Sequence, residues 1–158
     1  MTTIASSPAT SARTLVNTSQ EVISKAIKHA SEMTEGGKLI DQYQVHTQRI
    51  AYLTTEIRAA HELVAFVERS EHRGSSDHHS AEMAYCYAAE IAHKLRSQIE
   101  SAWEDFGLDE TDLTALNSLS TKELIRSGLA EERIRSIGST VLMTGGVNNV
   151  ELEDEVAT

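Results

Sequence analysis

The chain has 158 residues and a formal net charge of −10 at pH 7, and it is 40% hydrophobic and 24% charged. An acidic chain lacks the basic face that displaces counterions from nucleic acid, so nucleic-acid binding is not expected, and an anionic membrane surface is disfavoured for the same reason. No apolar run approaches the roughly 20 residues of a membrane span, and the N-terminus lacks the basic start and apolar stretch of a secretion signal. We therefore expect a cytoplasmic protein.

The composition and the spacing of apolar residues indicate an all-α protein. Only one proline, Pro8, and 4% aromatic residues are present, and the alternating pattern of β-strands is missing. Two sets of residues recur at gaps of three and four, the spacing that forms one stripe on a helix packed lengthwise against other helices. The first stripe consists of Tyr43, His46, Ile50, Leu53, Ile57, Ala60, Val64 and Val67. The second consists of Ala81, Tyr85, Ala88, Ala92, Leu95, Ile99, Ala102 and Phe106.

These patterns predict three long helices, over residues 11–33, 39–69 and 79–106. Gly107 ends the third helix, and either Ser76 or Asp77 is a suitable N-cap for it. The short connection between the second and third helices makes them antiparallel neighbours. We expect an up-down helical bundle over residues 12–142, between a disordered N-terminal tail at 1–11 and an acidic C-terminal tail at 143–158.

Shorter helices are predicted towards the C-terminus. Asp109 is expected to cap a turn, and Ser120 with Glu123 forms a capping box that opens a short helix. A last helix is predicted over residues 130–142. Its inward-facing residues are expected to be Ile134, Ile137 and Val141.

Several of these features occur in the order of a known helical domain. The first helix is followed by Gly37-Lys38-Leu39, and the next one opens with the pair Tyr43-Gln44. After an alanine-rich third helix comes a basic segment at residues 133–140. Over about residues 12–142 the chain thus resembles the C-terminal helical domain of the acyl-CoA dehydrogenases. The resemblance implies an all-α bundle, and it implies a homo-oligomer because this domain builds the dimer and tetramer interfaces of that family.

The chain departs from the family pattern at the residues that carry chemistry. Where the family has an Arg for the flavin pyrophosphate and a Phe, residues 33–37 read Met-Thr-Glu-Gly-Gly. Where it has a Gln before two glycines, residues 103–107 read Trp-Glu-Asp-Phe-Gly. Many members have the catalytic Glu where residues 138–140 are Gly-Ser-Thr, and neither Gly nor Ser replaces a carboxylate base. The resemblance therefore implies the fold without the catalytic residues, and FAD only if a partner chain shares it.

Two hypotheses about function follow. The first is a non-catalytic assembly or interaction subunit that is not an enzyme on its own and completes a flavoenzyme together with a larger chain. Leu63, Phe66 and Tyr87 add apolar surface beside the two stripes, which favours association. The alternative is an oligomeric bundle that binds an acyl or other apolar ligand between helices, and it requires a closed apolar cavity near His46 and Trp103.

The candidate ligand-binding or interface residues are Tyr43, Gln44, His46, Trp103 and Phe106. His46 lies on the first stripe, and for it we favour a core or half-buried residue that is hydrogen-bonded to a neighbouring helix, where a polar residue can also set the register or the choice of partner. A remote alternative is a carboxylate-bridged metal centre, because Glu90 and His93 have the Glu-x-x-His spacing of di-iron bundles. A second such motif is missing, and Ala92 rather than Glu90 or His93 lies on the stripe, so no metal is expected.

Overall fold

The computed structural model describes residues 7–75 and 77–147. Its regular elements are all helical, which confirms the predicted all-α class. In chain order they are α1 (Pro8–Met33), a first 3₁₀ turn (Ile40–Tyr43), α2 (Gln44–His72), α3 (His78–Glu100), a second 3₁₀ turn (Trp103–Phe106), α4 (Thr114–Asn117), α5 (Leu119–Gly128) and α6 (Glu131–Thr144). The charged part of the predicted acidic tail lies outside the described residues, as do residues 1–6.

The long helices α1, α2 and α3 form the predicted up-down bundle. Arg13 near the start of α1 donates from Nε to Oε1 of Glu68 near the end of α2, at 2.8 Å. Lys94 near the end of α3 binds Glu56 in the first half of α2, at 2.5 Å. These contacts show that neighbouring helices run antiparallel. The core between them includes the fully buried side chains Leu15, Ile23, Leu53, Ile57, Leu95 and Ile99.

Helix α1 begins earlier than the sequence predicts. The side-chain oxygen of Ser7, its N-cap, accepts a hydrogen bond from the Thr10 amide at 3.1 Å. Pro8 occupies the first turn, where its missing N–H leaves no helical hydrogen bond unmade. Ala9 and Ser11 are buried. The prediction of a disordered tail is therefore wrong for residues 8–11, because the small residues that suggested disorder allow close packing here.

The stripe on α2 is buried only from Ile50 to Val67. At its predicted beginning, Tyr43 is 36% exposed and His46 is half-buried. The reason is that residues 40–43 form a 3₁₀ turn, so α-helical geometry starts only at Gln44. A 3₁₀ turn has three residues per turn, and it therefore shifts the direction of the side chains that precede the helix.

The sequence predicts that the third helix ends at Phe106, but α3 ends at Glu100. Ala102 leaves the helical conformation with φ at −158°, and the second 3₁₀ turn follows it. Phe106 is nevertheless buried, with 1% of its surface exposed, because this turn folds back over the end of the bundle. Gly107 then terminates the turn at φ 65°, a left-handed conformation that glycine adopts without steric cost.

The short helices α4 and α5 cover one side of the bundle, where α5 packs against α3 and α1. Asp109 caps the turn before them as predicted, since its Oδ1 accepts a hydrogen bond from the Thr111 amide at 2.8 Å. The N-cap of α5 is Ser118, which accepts from the Thr121 amide at 3.2 Å, so the capping box predicted at Ser120 does not form.

The last helix, α6, packs against α3 on the outside of the bundle and contributes no buried residue. Ile134 is 48% exposed, Val141 is 41% exposed and Ile137 is half-buried. The prediction that these side chains face inward is therefore wrong for Ile134 and Val141, because the core is already closed by α1, α2, α3 and α5, whereas Ile137 lines a groove beside α3. None of the described helices is long and apolar enough to cross a membrane.

Candidate functional site

The end of the bundle beside the second 3₁₀ turn brings together His29 of α1, His46 of α2 and Phe106. The ring centroids of His46 and Phe106 lie 5.6 Å apart, and the rings are tilted by 45°. His29 meets His46 edge-on, with 6.3 Å between ring centroids. Two of the five predicted site residues, His46 and Phe106, are thus in contact.

The environment of His46 favours a neutral imidazole. Burial lowers the pKa of His46, and the nearby cationic groups of His29 and Arg49 lower it further, while Asp105 opposes them. Among the described residues its buried Nε2 atom has no hydrogen-bond partner, so the predicted hydrogen bond is not made at this atom. The lowered pKa of His46 favours the uncharged imidazole, and an uncharged ring is suited to packing against Phe106.

The other three predicted site residues do not join this cluster. Tyr43 ends the first 3₁₀ turn in a largely exposed position. Gln44 begins α2, and its side-chain amide donates to Asp41 Oδ1 on the surface at 3.3 Å. Trp103 is partly buried and packs against the core. The five residues therefore form no common site.

A groove of about 390 Å³ lies beside His46 and opens to solvent. It is lined by His29, Met33, Val45, His46, Arg49, Glu104 and Asp105. Three of these residues, Arg49, Glu104 and Asp105, carry charge at pH 7. The groove thus lacks the closed apolar shape that the ligand-binding alternative requires.

His29 is the member of this cluster that sequence analysis missed. It comes three residues after the buried Ala26, so helical spacing places it at the edge of the buried side of α1. A Cβ added at Gly107 would lie 2.1 Å from Cγ of His29. Gly107 therefore permits both the left-handed turn and the close approach of His29, and only the tertiary structure reveals the second role.

Glu90 and His93 are the remote candidates for a metal centre, and both belong to α3. Both lie on the exposed side of α3, whereas Ala92 between them is buried. In the part of the chain that the structure describes, no three His, Cys, Asp or Glu side chains are grouped to hold a metal ion. The Glu-x-x-His spacing is therefore part of a solvated helix surface.

A partly exposed apolar surface, the outer face, runs along α2 and α3. It consists of Val45, Tyr52, Ala59, Leu63 and Phe66, aligned on α2 by helical spacing, and of Met83 and Tyr87 on α3. Val45 is 67% exposed and Tyr52 is 62% exposed. Leu63, Phe66 and Tyr87 are partly buried and pack against the core. The outer face therefore continues the core out to the surface.

The ion pair between Lys94 and Glu56 lies within the outer face, because Glu56 comes four residues after Tyr52 and seven residues before Leu63 on α2. It sets the register of the two antiparallel helices and places Leu63 of α2 level with Tyr87 of α3. Burial raises the pKa of Tyr87, and the carboxylates of Glu56 and Glu90 raise it further. The outer face thus combines apolar side chains with one ion pair, and protein contact surfaces commonly contain both apolar and polar groups.

Comparison with known proteins adds one finding to this geometry. The family model of the acyl-CoA dehydrogenase C-terminal domain matches residues 1–106. The match runs through the three long helices to the end of the second 3₁₀ turn, and α4, α5 and α6 lie outside it. No curated protein and no solved structure matches the chain.

Proposed function

Because this chain belongs to the family of the acyl-CoA dehydrogenase C-terminal domain, we propose that it is a non-catalytic assembly subunit of that family. It completes a flavoenzyme together with a second, larger chain. The observation that carries the proposal is the outer face, whose members Val45 and Tyr52 are more than half exposed. Large apolar side chains that are grouped on one surface of a folded domain mark sites of protein contact.

The resemblance sets Gly138, Ser139 and Thr140 in the place of the family's catalytic base, and these residues support a non-catalytic role. Gly138 and Ser139 lie exposed on α6, and Thr140 beside them is half-buried. A base that removes a proton from a carbon next to a thioester needs a carboxylate or imidazole within hydrogen-bonding distance. Neither a glycine nor a hydroxyl side chain has the required basicity.

The residues of this chain do not fit FAD by themselves. In the resembled family, flavin contacts come from the end of the first helix and from the segment after the third. Here Glu35, Glu104 and Asp105 are exposed in these two segments. Their carboxylates repel a pyrophosphate, and Arg49 is the cation of the adjacent groove. Any flavin of the assembly is therefore held mainly by the larger chain.

The test is purification of the untagged chain from its own host, followed by native mass spectrometry and a UV–visible spectrum. A complex with a larger chain and a flavin spectrum is expected, and the isolated chain is expected to be colourless. Tight flavin binding or dehydrogenation by the isolated chain would contradict the proposal. So would recovery of the chain without a larger partner under conditions that preserve other complexes.

Two variants test whether the outer face makes the contact. Tyr52→Glu places a charge on the outer face and is expected to release the larger chain. Ala51→Glu adds the same charge at an exposed position on a different side of α2 and is the matched control. Circular dichroism confirms that both variants keep their helices. If both variants recover the larger chain equally, the contact does not lie on the outer face.

The same proposal includes self-association and a cytoplasmic location, which the family resemblance and the sequence features favour. The alternative of an apolar ligand between the helices has less support. The groove beside His46 is open and bordered by charges, and Phe106 occupies the interior at that end. A fluorescent fatty-acid probe that binds with one-to-one stoichiometry would favour the alternative.

A further inference from the structure

Helix α6 carries an apolar flank that the described residues 7–75 and 77–147 leave uncovered. The apolar flank consists of Ile134, Gly138, Val141 and Leu142, which helical spacing aligns on one side. Ile134 is 48% exposed, Val141 41% and Leu142 83%. An isolated helix of 14 residues is marginal in water, so an uncovered apolar flank on a helix without buried residues indicates a contact outside this chain.

A different side of α6 attaches the helix to the bundle. The guanidinium of Arg133 binds Glu82 of α3 and donates from Nε to the Ser127 carbonyl at 3.1 Å. It also lies over the ring of Tyr85, 4.7 Å from its centroid. These contacts orient α6 with the apolar flank turned away from the anchoring groups.

Gly138 has no packing role among the residues that the structure describes. A Cβ added there would meet no atom within 4 Å, and the backbone does not have a positive φ. By contrast, a Cβ at Gly128 would lie 2.4 Å from the Cβ of Ala89, so that glycine is required by internal packing. Glycine is the least favourable residue after proline in a helix. Its position in the middle of the apolar flank is explained by the close approach of another backbone.

We propose that the apolar flank of α6 binds the same flank of a second copy, with the two helices antiparallel about a two-fold axis at Gly138. Ile134 and Leu142 lie four residues to either side of Gly138. In an antiparallel pair, Ile134 of each copy therefore meets Leu142 of its partner. Because the surface is complementary to itself, it satisfies the requirement of a two-fold interface. This inference rests on the self-association that the proposed function includes, and it names the helix that makes this contact.

The charges on the flank favour a second copy. The whole chain has a net charge of −10, so most pairs of its surfaces repel each other. Glu131 and Arg135 at the edge of the flank form an ion pair with each other and leave the flank electrically neutral. The antiparallel arrangement also places the methylene stem of Arg135 over Val141 of the other copy. Two copies can therefore meet at this flank without repulsion between like charges.

The size of α6 limits the strength of this contact. Its 14 residues span about 21 Å, and one pair of such helices buries less than the roughly 1,200 Å² of a standard interface. A weak dimer is therefore expected, whose fraction rises with protein concentration over the micromolar range.

Sedimentation velocity of the full chain over a range of concentrations tests the proposal. Gly138→Gln inserts a long side chain at the axis, and Leu142→Glu charges the flank, so each is expected to weaken dimerisation at least tenfold. Ser139→Gln, on another exposed side of α6, is the matched control and should dimerise like the wild type. A wild-type chain that stays monomeric throughout, or equal dimerisation of all variants, would overturn the proposal.

Cross-linking tests the predicted axis directly. In a Cys86→Ser background, Gly138→Cys places one thiol of each copy close to the two-fold axis, within the distance that a disulfide bridges. Mild oxidation should cross-link this variant at least tenfold faster than Ser139→Cys, and equal rates would exclude the axis.

If self-association depends on Tyr52 and not on α6, this inference fails while the proposed assembly role stands. If no copy and no larger chain binds, both fail.

Discussion

The guanidinium of Arg133 lies over the ring of Tyr85, 4.7 Å from its centroid. Tyr85 is 3% exposed and also donates a hydrogen bond from its hydroxyl to the Leu124 carbonyl of α5, at 2.8 Å. One buried ring on α3 therefore holds both α5 and α6. Because α6 has no buried residue, its attachment depends on this contact and on the ion pair of Arg133 with Glu82.

Replacing Arg133 should loosen α6 and leave the bundle folded. Arg133→Gln removes the cation–π contact and the ion pair, and we expect a loss of about 1 kcal/mol in the stability of α6 docking. Hydrogen exchange followed by mass spectrometry should show faster exchange in residues 131–144. Arg135→Gln is the control. Among the described residues, the guanidinium of Arg135 is paired with Glu131, an exposed residue of the same helix. Equal exchange in the two variants would refute the anchoring role.

His46 should make the fold less stable as the pH falls. Its pKa is lowered in the folded chain, so below about pH 6.5 the unfolded chain binds a proton that the folded chain binds only at lower pH. The stabilisation that the neutral ring of His46 provides is fully present above about pH 6.5. It is lost as the pH falls through the pKa that His46 has in the folded chain. His29, Arg49 and Asp105 are the charged or titratable groups that act on this pKa.

Urea unfolding of the wild type and His46→Gln between pH 5 and 8 measures this effect. The stability difference between the two proteins should shift in favour of His46→Gln at the acidic end, because glutamine cannot be protonated. His93→Gln removes an exposed histidine and controls for general effects of losing an imidazole. A difference that is constant over this pH range would show that His46 has the same pKa in both states.

Gly107→Ala should be much more costly than alanine at another left-handed glycine. Gly74 has φ +73° and open space around it, so Gly74→Ala isolates the conformational cost of about 1–2 kcal/mol. At Gly107 the same cost applies at φ +65°, and the new Cβ also collides with His29. Thermal unfolding should show a further loss of at least about 1 kcal/mol, in the range of overpacked sites. Combining Gly107→Ala with His29→Ala should recover part of this loss.

Ser7→Ala should destabilise the protein by about 1 kcal/mol, because it removes the N-cap of α1. Ser31→Ala is the matched control at an exposed position within the same helix. Chemical denaturation measures both. An unchanged stability in Ser7→Ala would mean that the first turn of α1 contributes little, in agreement with the disordered tail that the sequence suggested.

Periodicity predicted the helix interiors well and the helix ends poorly. Ile50, Ile57 and Val64 are buried as the stripe on α2 required, because each position on a long helix has neighbours that repeat with the helix. At the ends this regularity is lost. Ser7 extends α1 through one side-chain hydrogen bond, and Ala102 ends α3 by leaving the helical conformation. Such single-residue events have no periodic signal.

The candidate site could be predicted only in part. His46 lies close to Phe106, as two residues near the same end of the bundle should, but His29 entered the cluster from a third helix. The outer face was visible in the sequence through Leu63, Phe66 and Tyr87. Its most exposed members, Val45, Tyr52 and Met83, were not predicted, because their exposure depends on which sides of α2 and α3 the helix α1 covers.

By itself the sequence determined the helical class, the antiparallel arrangement of the long helices and the lack of a carboxylate at residues 138–140. These properties depend on local geometry, on short connections and on residue identity. Only the tertiary structure decided that α6 lies outside the core and that His29 requires a glycine at position 107. Both features depend on which helix surfaces pack against each other in the folded chain. A side chain with helical spacing is buried only where another element covers it.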